Sequence, residues 1–433
     1  MRDRMLQDQP VIAVVGPFAG LQRRAVVAAV RRVAKAAPHM RIALSRTTLG
    51  RRWRHNDNRL DEWWDGLVTC VPPATCDTIE EIAIQQNSVI SVDHPLHFVV
   101  AGEYLIIVRD HCLGDGKVLV DLLGAVVNIA MGGTEDPDWS TLRLEPLPLL
   151  RAVRATFLRS PQTCRALLVA RRLDSGGEAI TENRDLTAWS PKLAVVYAVS
   201  PVTVQRRLRK WARSTDDAVT VSSALLVALR RAFDTCGVTP EPEQSVIYDI
   251  RRYLPNGSGV VNGNFITGLT ISGSAVDDPA QVGGAMQTHV DSGRPLAALV
   301  AGVLRHWGRR CPMKSIVNVP RNPQAHLVFN NMGTLRTLQR LPWSQDADHR
   351  KCMFAVEPAG PEHVTVTLAT VAGALHLSAS FHANVFDVND VRHALALAAT
   401  NPLMLLGVDN AAKTPPALPD KDDNSPSPAE PTG

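Results

Sequence analysis

Asp110-His111-Cys112-Leu113-Gly114-Asp115-Gly116 is the stretch of sequence that decides the fold. The run Tyr104 to Val108 before it is apolar and predicts a strand, and the apolar run Lys117 to Met131 after it predicts a helix. The histidine is therefore expected on a loop at a strand end, where its side chain can project into a cleft. Asp115 is well placed for a helix N-cap or an ion pair. Gly116 allows close approach of the backbone.

A histidine in that position suits acyl transfer, because the pKa of imidazole lies near neutrality. It can take a proton from an alcohol, amine or thiol as that atom attacks a thioester carbonyl, and return the proton to the leaving group. The sequence has no GxSxG serine elbow and no Ser-Lys pair, so direct transfer without an acyl-enzyme is the simpler mechanism. The spacing alone leaves one alternative open, which is a surface or core histidine beside a helix cap.

The size and charge of the chain limit the classes of function. A length of 433 residues predicts two domains, or one body with two lobes. The formal net charge is only +4, and a nucleic-acid partner would need a concentrated basic face. The Arg-rich stretches Arg46 to Arg54 and Arg206 to Arg213 hold no recognition motif, so we interpret them as solvated surface.

The cysteines and the apolar runs indicate a compartment. The seven cysteines are scattered and form no CxxC pair, which predicts neither a zinc site nor a disulfide framework but reduced thiols in a cytoplasm. The N-terminus lacks an apolar signal-peptide core. No apolar run reaches the roughly 20 residues that span a bilayer. We therefore expect a cytoplasmic protein without a membrane span.

Strand-like and helix-like runs alternate in both halves of the chain, which predicts an α/β protein with two similar lobes. We place the N-terminal lobe at residues 10–150 and the C-terminal lobe at 191–410. Prolines, the Gly176-Gly177 pair and a polar run mark residues 151–190 as a crossover linker. The Pro- and Ser-rich tail at 411–433 is predicted to be disordered.

The histidine motif resembles the HHxxxDG signature of the condensation-domain superfamily of acyltransferases, with its nonribosomal peptide condensation domains and polyketide-associated acyltransferases. Two further stretches are similar to the family in order and spacing. Tyr248 to Pro255, followed by Gly263-Asn264-Phe265, resembles the DLR…LP…GN segment, and Val328 to Gly333 resembles the SN-x-G strand. The resemblance covers about residues 10 to 400. It implies two pseudo-symmetric lobes, each like chloramphenicol acetyltransferase, forming a V with a tunnel between them.

The same resemblance implies roles for the motif residues. His111 would be the catalytic base at the interface of the lobes. Asp115 would be structural and would be held by an arginine from the second lobe, for which Arg251 is the candidate. Gly116 would leave room for the pantetheine arm of the donor.

The resemblance also implies roles for three further residues. Asn331 is expected near the acyl or acceptor pocket, with an ordinary strand-end turn residue as the alternative. Asn264 is expected to be structural rather than a ligand. Asp110 stands where many family members have the first histidine, and we assign it to substrate binding. In contact with His111 it would raise the basicity of that residue.

The function implied is that of a stand-alone acyltransferase in lipid or specialised-metabolite biosynthesis. It would move an acyl group from coenzyme A or a carrier-protein phosphopantetheine to a hydroxyl or amine of a small-molecule acceptor. The chain carries no adenylation or carrier motif, so a carrier protein would be a separate partner. No bound cofactor and no metal are expected, and the protein should be a monomer. The alternative is a catalytically silent, condensation-like docking protein, which Asp110 keeps open.

Overall fold

The computed structural model describes residues 9–38, 64–90, 95–158, 185–305 and 316–408, with residue 6 and the segments 40–41, 44–46, 53–55 and 162–167. The predicted disordered tail at 411–433 lies outside these residues, as does the Gly176-Gly177 part of the predicted crossover. Among the helices that are described, none has the length and hydropathy needed to cross a bilayer.

The strands are β1 (Pro10–Gly16), β2 (Leu44–Arg46), β3 (Trp53–His55), β4 (Val68–Cys70), β5 (Leu96–Ala101), β6 (Tyr104–Asp110), β7 (Leu186–Ala188), β8 (Leu193–Ser200), β9 (Pro240–Asp249), β10 (Ile266–Ile271), β11 (Asn318–Pro320), β12 (Ala325–Thr334), β13 (Lys351–Val356), β14 (His363–Val371) and β15 (Ala374–His382). The α-helices are α1 (Arg23–Ala36), α2 (Ile79–Gln85), α3 (Gly116–Ala130), α4 (Pro148–Val153), α5 (Val202–Thr215), α6 (Val221–Thr235), α7 (Pro279–Asp291), α8 (Arg294–Arg305), α9 (Arg336–Gln339), α10 (Val388–Thr400) and α11 (Pro402–Leu405). A π-helical turn follows α4 at Arg154–Leu158, and residues 162–167 are helical.

The first sheet positions the histidine motif. Its strand order is β13-β1-β6-β5-β4, and β6 pairs antiparallel with both β1 and β5. The hairpin between β5 and β6 turns at Gly102, whose φ of +66° favours glycine. Every residue of β6 is buried, and apolar side chains of α1 and α3 pack on the sheet. Because β6 is held on both sides, the position of its end, and of His111 just beyond it, is fixed.

The second sheet has six strands in the order β10-β9-β12-β14-β15-β8. β12 runs parallel to β9 and β14, and the other pairs are antiparallel. One face packs against apolar side chains of α6, α7, α8 and α10. The opposite face carries Ile247, Asn330 and Thr367, which line a cavity shared with residues of β1 and β13. The open face of the second sheet is therefore turned towards the first sheet.

One strand from the C-terminal half completes the first sheet. β13 pairs antiparallel with β1, from Val11 opposite Val356 to Gly16 opposite Lys351. The segment before it also packs in the first core, through Leu335, Leu338 and Leu341. A boundary near residue 190 therefore does not separate the two sheets completely.

The predicted α/β class is confirmed, and strands alternate with helices in both halves. The strand predicted at Tyr104 to Val108 is β6, and the helix predicted from Lys117 is α3, which begins one residue earlier. β4 and β13 were not anticipated.

Candidate active site

The motif loop is built from two consecutive caps. β6 ends at Asp110, and a 3-10 turn covers His111–Leu113. The Oδ1 of Asp110 accepts a hydrogen bond of 2.7 Å from the backbone N–H of Cys112, which caps that turn. Asp115 is the N-cap of α3, and its Oδ1 accepts from the N–H of Val118 at 3.4 Å. The polar residues that flank His111 thus hold the backbone of the loop.

An ion pair across the two lobes anchors Asp115. Its side chain is 1% exposed, and Arg251 donates to both carboxylate oxygens, from Nη1 at 2.8 Å and from Nη2 at 3.1 Å. The backbone N–H of Phe265 adds a bond of 2.9 Å to Oδ2. Two parallel N–H···O bonds to one carboxylate fix orientation as well as distance. The contact between Asp115 and Arg251 that the sequence indicated is present.

The second lobe also holds the backbone of the catalytic candidate. Nδ2 of Asn264 donates to the carbonyl oxygen of His111 at 2.8 Å. The N–H of His111 donates to the carbonyl of Gln9 at 2.8 Å. The side chain of Asn264 therefore links the motif loop to a segment from the second half of the chain.

The imidazole of His111 borders a cavity, and its surroundings disfavour its protonation. Burial lowers the pKa of His111 below its ordinary value of 6.5, and the positive charge of Arg109 lowers it further. Nδ1 is buried without a hydrogen-bond partner of normal geometry. The residue's own carbonyl, the negative charge of Asp115 and the side chain of Asn264 oppose this lowering of the pKa. The ring is therefore neutral at pH 7. Nε2 is the nitrogen that remains to take up a proton from the cavity.

Arg109 supports the motif loop from below and was missed by the sequence analysis. It is 1% exposed, and its Nη1 and Nη2 donate to the carbonyls of Gly114 and Asp115 at 2.9 and 3.0 Å. Burial lowers the pKa of Arg109 to about 10, so the guanidinium still carries its charge at neutral pH. The sequence offered one indication, which is an arginine near the end of an apolar strand next to the motif. That its side chain points into the protein could not be deduced from the sequence.

The cavity in front of His111 has a volume of about 360 Å³. The first sheet and α3 contribute Val11, Gly116 and Phe354 to its wall, and the second sheet contributes Ile247, Asn330 and Thr367. Such a volume is within the range of small-molecule sites. Because both sheets supply walls, a change in the distance between the sheets would alter the space beside His111.

A larger cavity, of about 840 Å³, adjoins the first one. It lies between the loops at 138–146 and 254–261, and it shares Lys117, Asp121 and Arg251 with the cavity at His111. The ion pair of Asp115 and Arg251 therefore stands at the boundary between the two spaces.

Gly116 and Asn331 both line the smaller cavity. A Cβ at Gly116 would lie 2.9 Å from Cε of Met332, so the glycine makes room for that side chain. The amide of Asn331 is fully engaged, because Nδ2 donates to Ser222 Oγ at 2.8 Å and Oδ1 accepts from the N–H of Gly333 at 2.8 Å. This arrangement favours the turn-residue interpretation of Asn331 over direct substrate binding.

The assignment of Asp110 to substrate binding is corrected by the structure. Its side chain is 2% exposed, does not line the cavity and caps the turn at Cys112. Its charge acts on Arg109 and does not contribute to the pKa shift of His111. The reason is local geometry, since consecutive residues at a strand end point to opposite sides.

No group of three or more His, Cys, Asp or Glu side chains that could hold a metal ion occurs within the described ranges.

Neither a protein-family model nor a curated protein matches the sequence. Solved structures do match over nearly the whole chain. The first condensation domain of the CDA synthetase is 12% identical, with 93% of this chain and 94% of that chain covered and a TM-score of 0.58. The trichothecene 15-O-acetyltransferase from Fusarium sporotrichioides is 11% identical, with 92% of each chain covered and a TM-score of 0.57. This chain has the condensation-domain fold.

A third match, the condensation domain from Monacolin K polyketide synthase, is 13% identical and covers 94% of this chain and 95% of that one, with a TM-score of 0.54. The likeness in fold therefore extends over most of both halves of this chain. Identities this low establish the fold alone, so the chemistry must be inferred from the residues around His111.

Proposed function

We propose that the protein is an acyltransferase of the condensation type. It moves an acyl group from a coenzyme A or carrier-protein thioester to a hydroxyl or amine, with His111 as the general base. The observation that carries the proposal is a neutral imidazole beside a cavity between two sheets, on a loop that both lobes hold. Lipid or specialised-metabolite biosynthesis is the setting in which such a reaction is used.

The proposed reaction needs one proton transfer in each direction. Nε2 of His111 takes the proton from the acceptor's O–H or N–H while that atom forms a bond to the thioester carbonyl carbon. The tetrahedral intermediate then collapses, the C–S bond breaks, and the imidazolium returns the proton to the thiolate. An ester or amide and a free thiol leave the site. The positive charge of buried Arg109 opposes protonation of His111, which favours that return.

The two cavities suit two substrates. We place the reacting carbonyl in the smaller cavity beside His111, and the longer, polar part of one substrate in the larger cavity at Arg251 and Lys117. Proximity of this kind supplies much of the rate enhancement of transfer reactions.

The experiment that tests the proposal is a donor and acceptor panel. Purified protein is incubated with acyl-coenzyme A species of different chain length, or with acylated carrier protein, together with alcohols and amines, and mass spectrometry detects esters, amides and released thiols. Product that depends on the protein supports transfer. Binding of an acylated carrier protein without product from any pair would support the docking-protein alternative instead.

The pH dependence of the reaction follows from the lowered pKa of His111. The base must be neutral, and a pKa below 6.5 keeps it neutral down to that pH. We therefore expect kcat/KM to be constant around neutrality and to fall only below about pH 6.5. Initial rates from about pH 5 to about pH 8, at constant ionic strength, measure this, with circular dichroism as a control for unfolding. An inflection above pH 6.5 would contradict it.

Space at Gly116 should matter more for the reaction than for folding. In Gly116→Ala, the added methyl group meets Met332 Cε, the flexible end of a side chain, so Met332 can shift into the cavity. We expect kcat/KM to fall roughly ten- to a hundredfold, while the melting temperature stays within about 4 °C. Gly237→Ala, a change at a helix C-terminus with a φ of +86°, is the matched control that should lower stability instead. A Gly116→Ala enzyme with full activity would contradict the placement of the substrate.

A further inference from the structure

A second group of polar side chains lies on the open face of the second sheet, outside the site of His111. Oε2 of Glu241 is 2.8 Å from Nδ1 of His326, and Nε2 of His326 is 2.9 Å from Oγ of Ser245. An acid, an imidazole and a hydroxyl thus follow one another at hydrogen-bond distances. This is the order in which an activated serine nucleophile is built.

The topology explains how these three residues meet. Glu241 and Ser245 lie on β9, and His326 lies on the neighbouring parallel strand β12. The register between these strands shifts between Ala325 and Leu327, which is where His326 stands. The histidine therefore spans the stretch of β9 between the acid and the serine.

Hydrogen-bond chemistry gives each nitrogen of His326 one role. A carboxylate can only accept, so Nδ1 carries the proton and donates it to Glu241. In the neutral ring with its proton on Nδ1, Nε2 is then the acceptor for the hydroxyl proton of Ser245. The neutral tautomer that a general base needs is the one that this arrangement selects.

The group is accessible and has a neutral neighbour. The side chains of His326 and Glu241 are 16% and 26% exposed, and Ser245 is half-buried. The ring of His363 contacts that of His326 in a tilted arrangement, with ring centroids 4.7 Å apart. Burial, with a contribution from His326, lowers the pKa of His363 to about 4, so His363 adds no positive charge that would oppose protonation of His326.

We propose that Ser245, His326 and Glu241 form a second reactive site, which accepts acyl groups from activated esters and thioesters independently of His111. Ser245 lies two residues before Ile247, which lines the cavity at His111, so it points to the same face of β9. The site therefore faces the space between the two sheets.

The step at this site balances with water as the only co-reactant. Oγ of Ser245 forms a bond to the acyl carbonyl carbon while its proton passes to Nε2 of His326, and the leaving alkoxide or thiolate takes that proton as its bond to carbon breaks. Water then gives a proton to the same nitrogen while its oxygen forms a bond to the acyl carbon; the bond between that carbon and Oγ of Ser245 breaks, Oγ takes the proton back from Nε2, and the carboxylic acid is released. The backbone of Ser245 pairs with Thr270 and Val328 in the sheet and offers no preformed oxyanion hole. This restricts the site to activated acyl groups.

The test uses a fluorophosphonate probe on the full-length protein, with intact mass and peptide mass spectrometry. We expect one adduct, on Ser245, in the wild type, and a labelling rate at least roughly a hundredfold lower in His326→Gln. Ser272→Ala and His393→Gln, changes at exposed positions, are the matched controls that should label at the wild-type rate. Labelling of Ser245 does not require acyl transfer at His111. A failure of this proposal can therefore be distinguished from a failure of the proposed function.

Three outcomes would overturn the proposal. These are the absence of an adduct, an adduct on another residue, and labelling of Ser245 at an unchanged rate in His326→Gln. In each case the three side chains would form hydrogen bonds that connect the two strands, without a reactive serine. Because the adduct is located by peptide mapping of the wild type, a variant that fails to fold does not remove the test.

Discussion

Replacing His111 with alanine is expected to lower kcat/KM for acyl transfer by roughly a hundred- to ten-thousandfold, the usual contribution of a general base. The acceptor would have to lose its proton to water while it attacks the thioester. The fold should be retained, because Asn264 and Gln9 bind backbone atoms of residue 111 that alanine also has. The measurement is the initial rate of thiol release with the best donor and acceptor from the panel.

The matched control for this substitution is His393→Ala, at an exposed position of α10. That variant should transfer acyl groups at the wild-type rate. His111→Gln, which keeps size and polarity but not basicity, should be as slow as the alanine variant. Wild-type rates for both His111 variants would remove the catalytic role and favour the docking-protein alternative.

Arg251→Ala is expected to cost about 3–5 kcal/mol of unfolding free energy, because it leaves the carboxylate of Asp115 buried without its charged partner. Asp115 would keep the N–H groups of Val118 and Phe265, which do not neutralise a charge. Transfer should fall as well, since the loop that carries His111 loses its connection to the second lobe. Urea denaturation followed by circular dichroism measures the change in stability.

Asp249 provides the internal control for this ion pair. It contacts the same guanidinium at 3.1 Å, but its side chain is 51% exposed. Asp249→Ala should therefore cost only about 1 kcal/mol, from a screened ion pair and the lost cap at the N–H of Arg251. A double-mutant cycle of Asp115→Asn and Arg251→Gln isolates the coupling between those two residues. Equal losses of unfolding free energy in Arg251→Ala and Asp249→Ala would show that the burial of Asp115 is not the reason why its ion pair with Arg251 stabilises the fold.

The local sequence pattern was sufficient to predict the part of the site that is contiguous in sequence. The apolar run of β6, the capping position of Asp115 and the apolar helix α3 define the place of His111 without tertiary information. The partner Arg251 is 136 residues away from Asp115, and it was found through the resemblance of its own segment to a family pattern.

Other features depend on packing that no local pattern contains. The side chain of Arg109 could have pointed to solvent, and only the carbonyls of Gly114 and Asp115 below the loop explain its burial. The sequence around His111 also cannot distinguish an Asp110 that binds substrate from one that caps a turn. Six residues of β13 resemble any short buried strand, and their place beside β1 is set by pairing across more than 300 residues.

The position of β13 has a consequence for the synthesis of the chain. β1 emerges early from the ribosome and can pair with β6, but the edge that β13 covers stays unpaired until residue 356 has been made. An unpaired edge is a template for pairing with other chains. The first sheet therefore cannot be completed before most strands of the second sheet have been translated, which departs from the N-terminal-first order usual for multidomain chains.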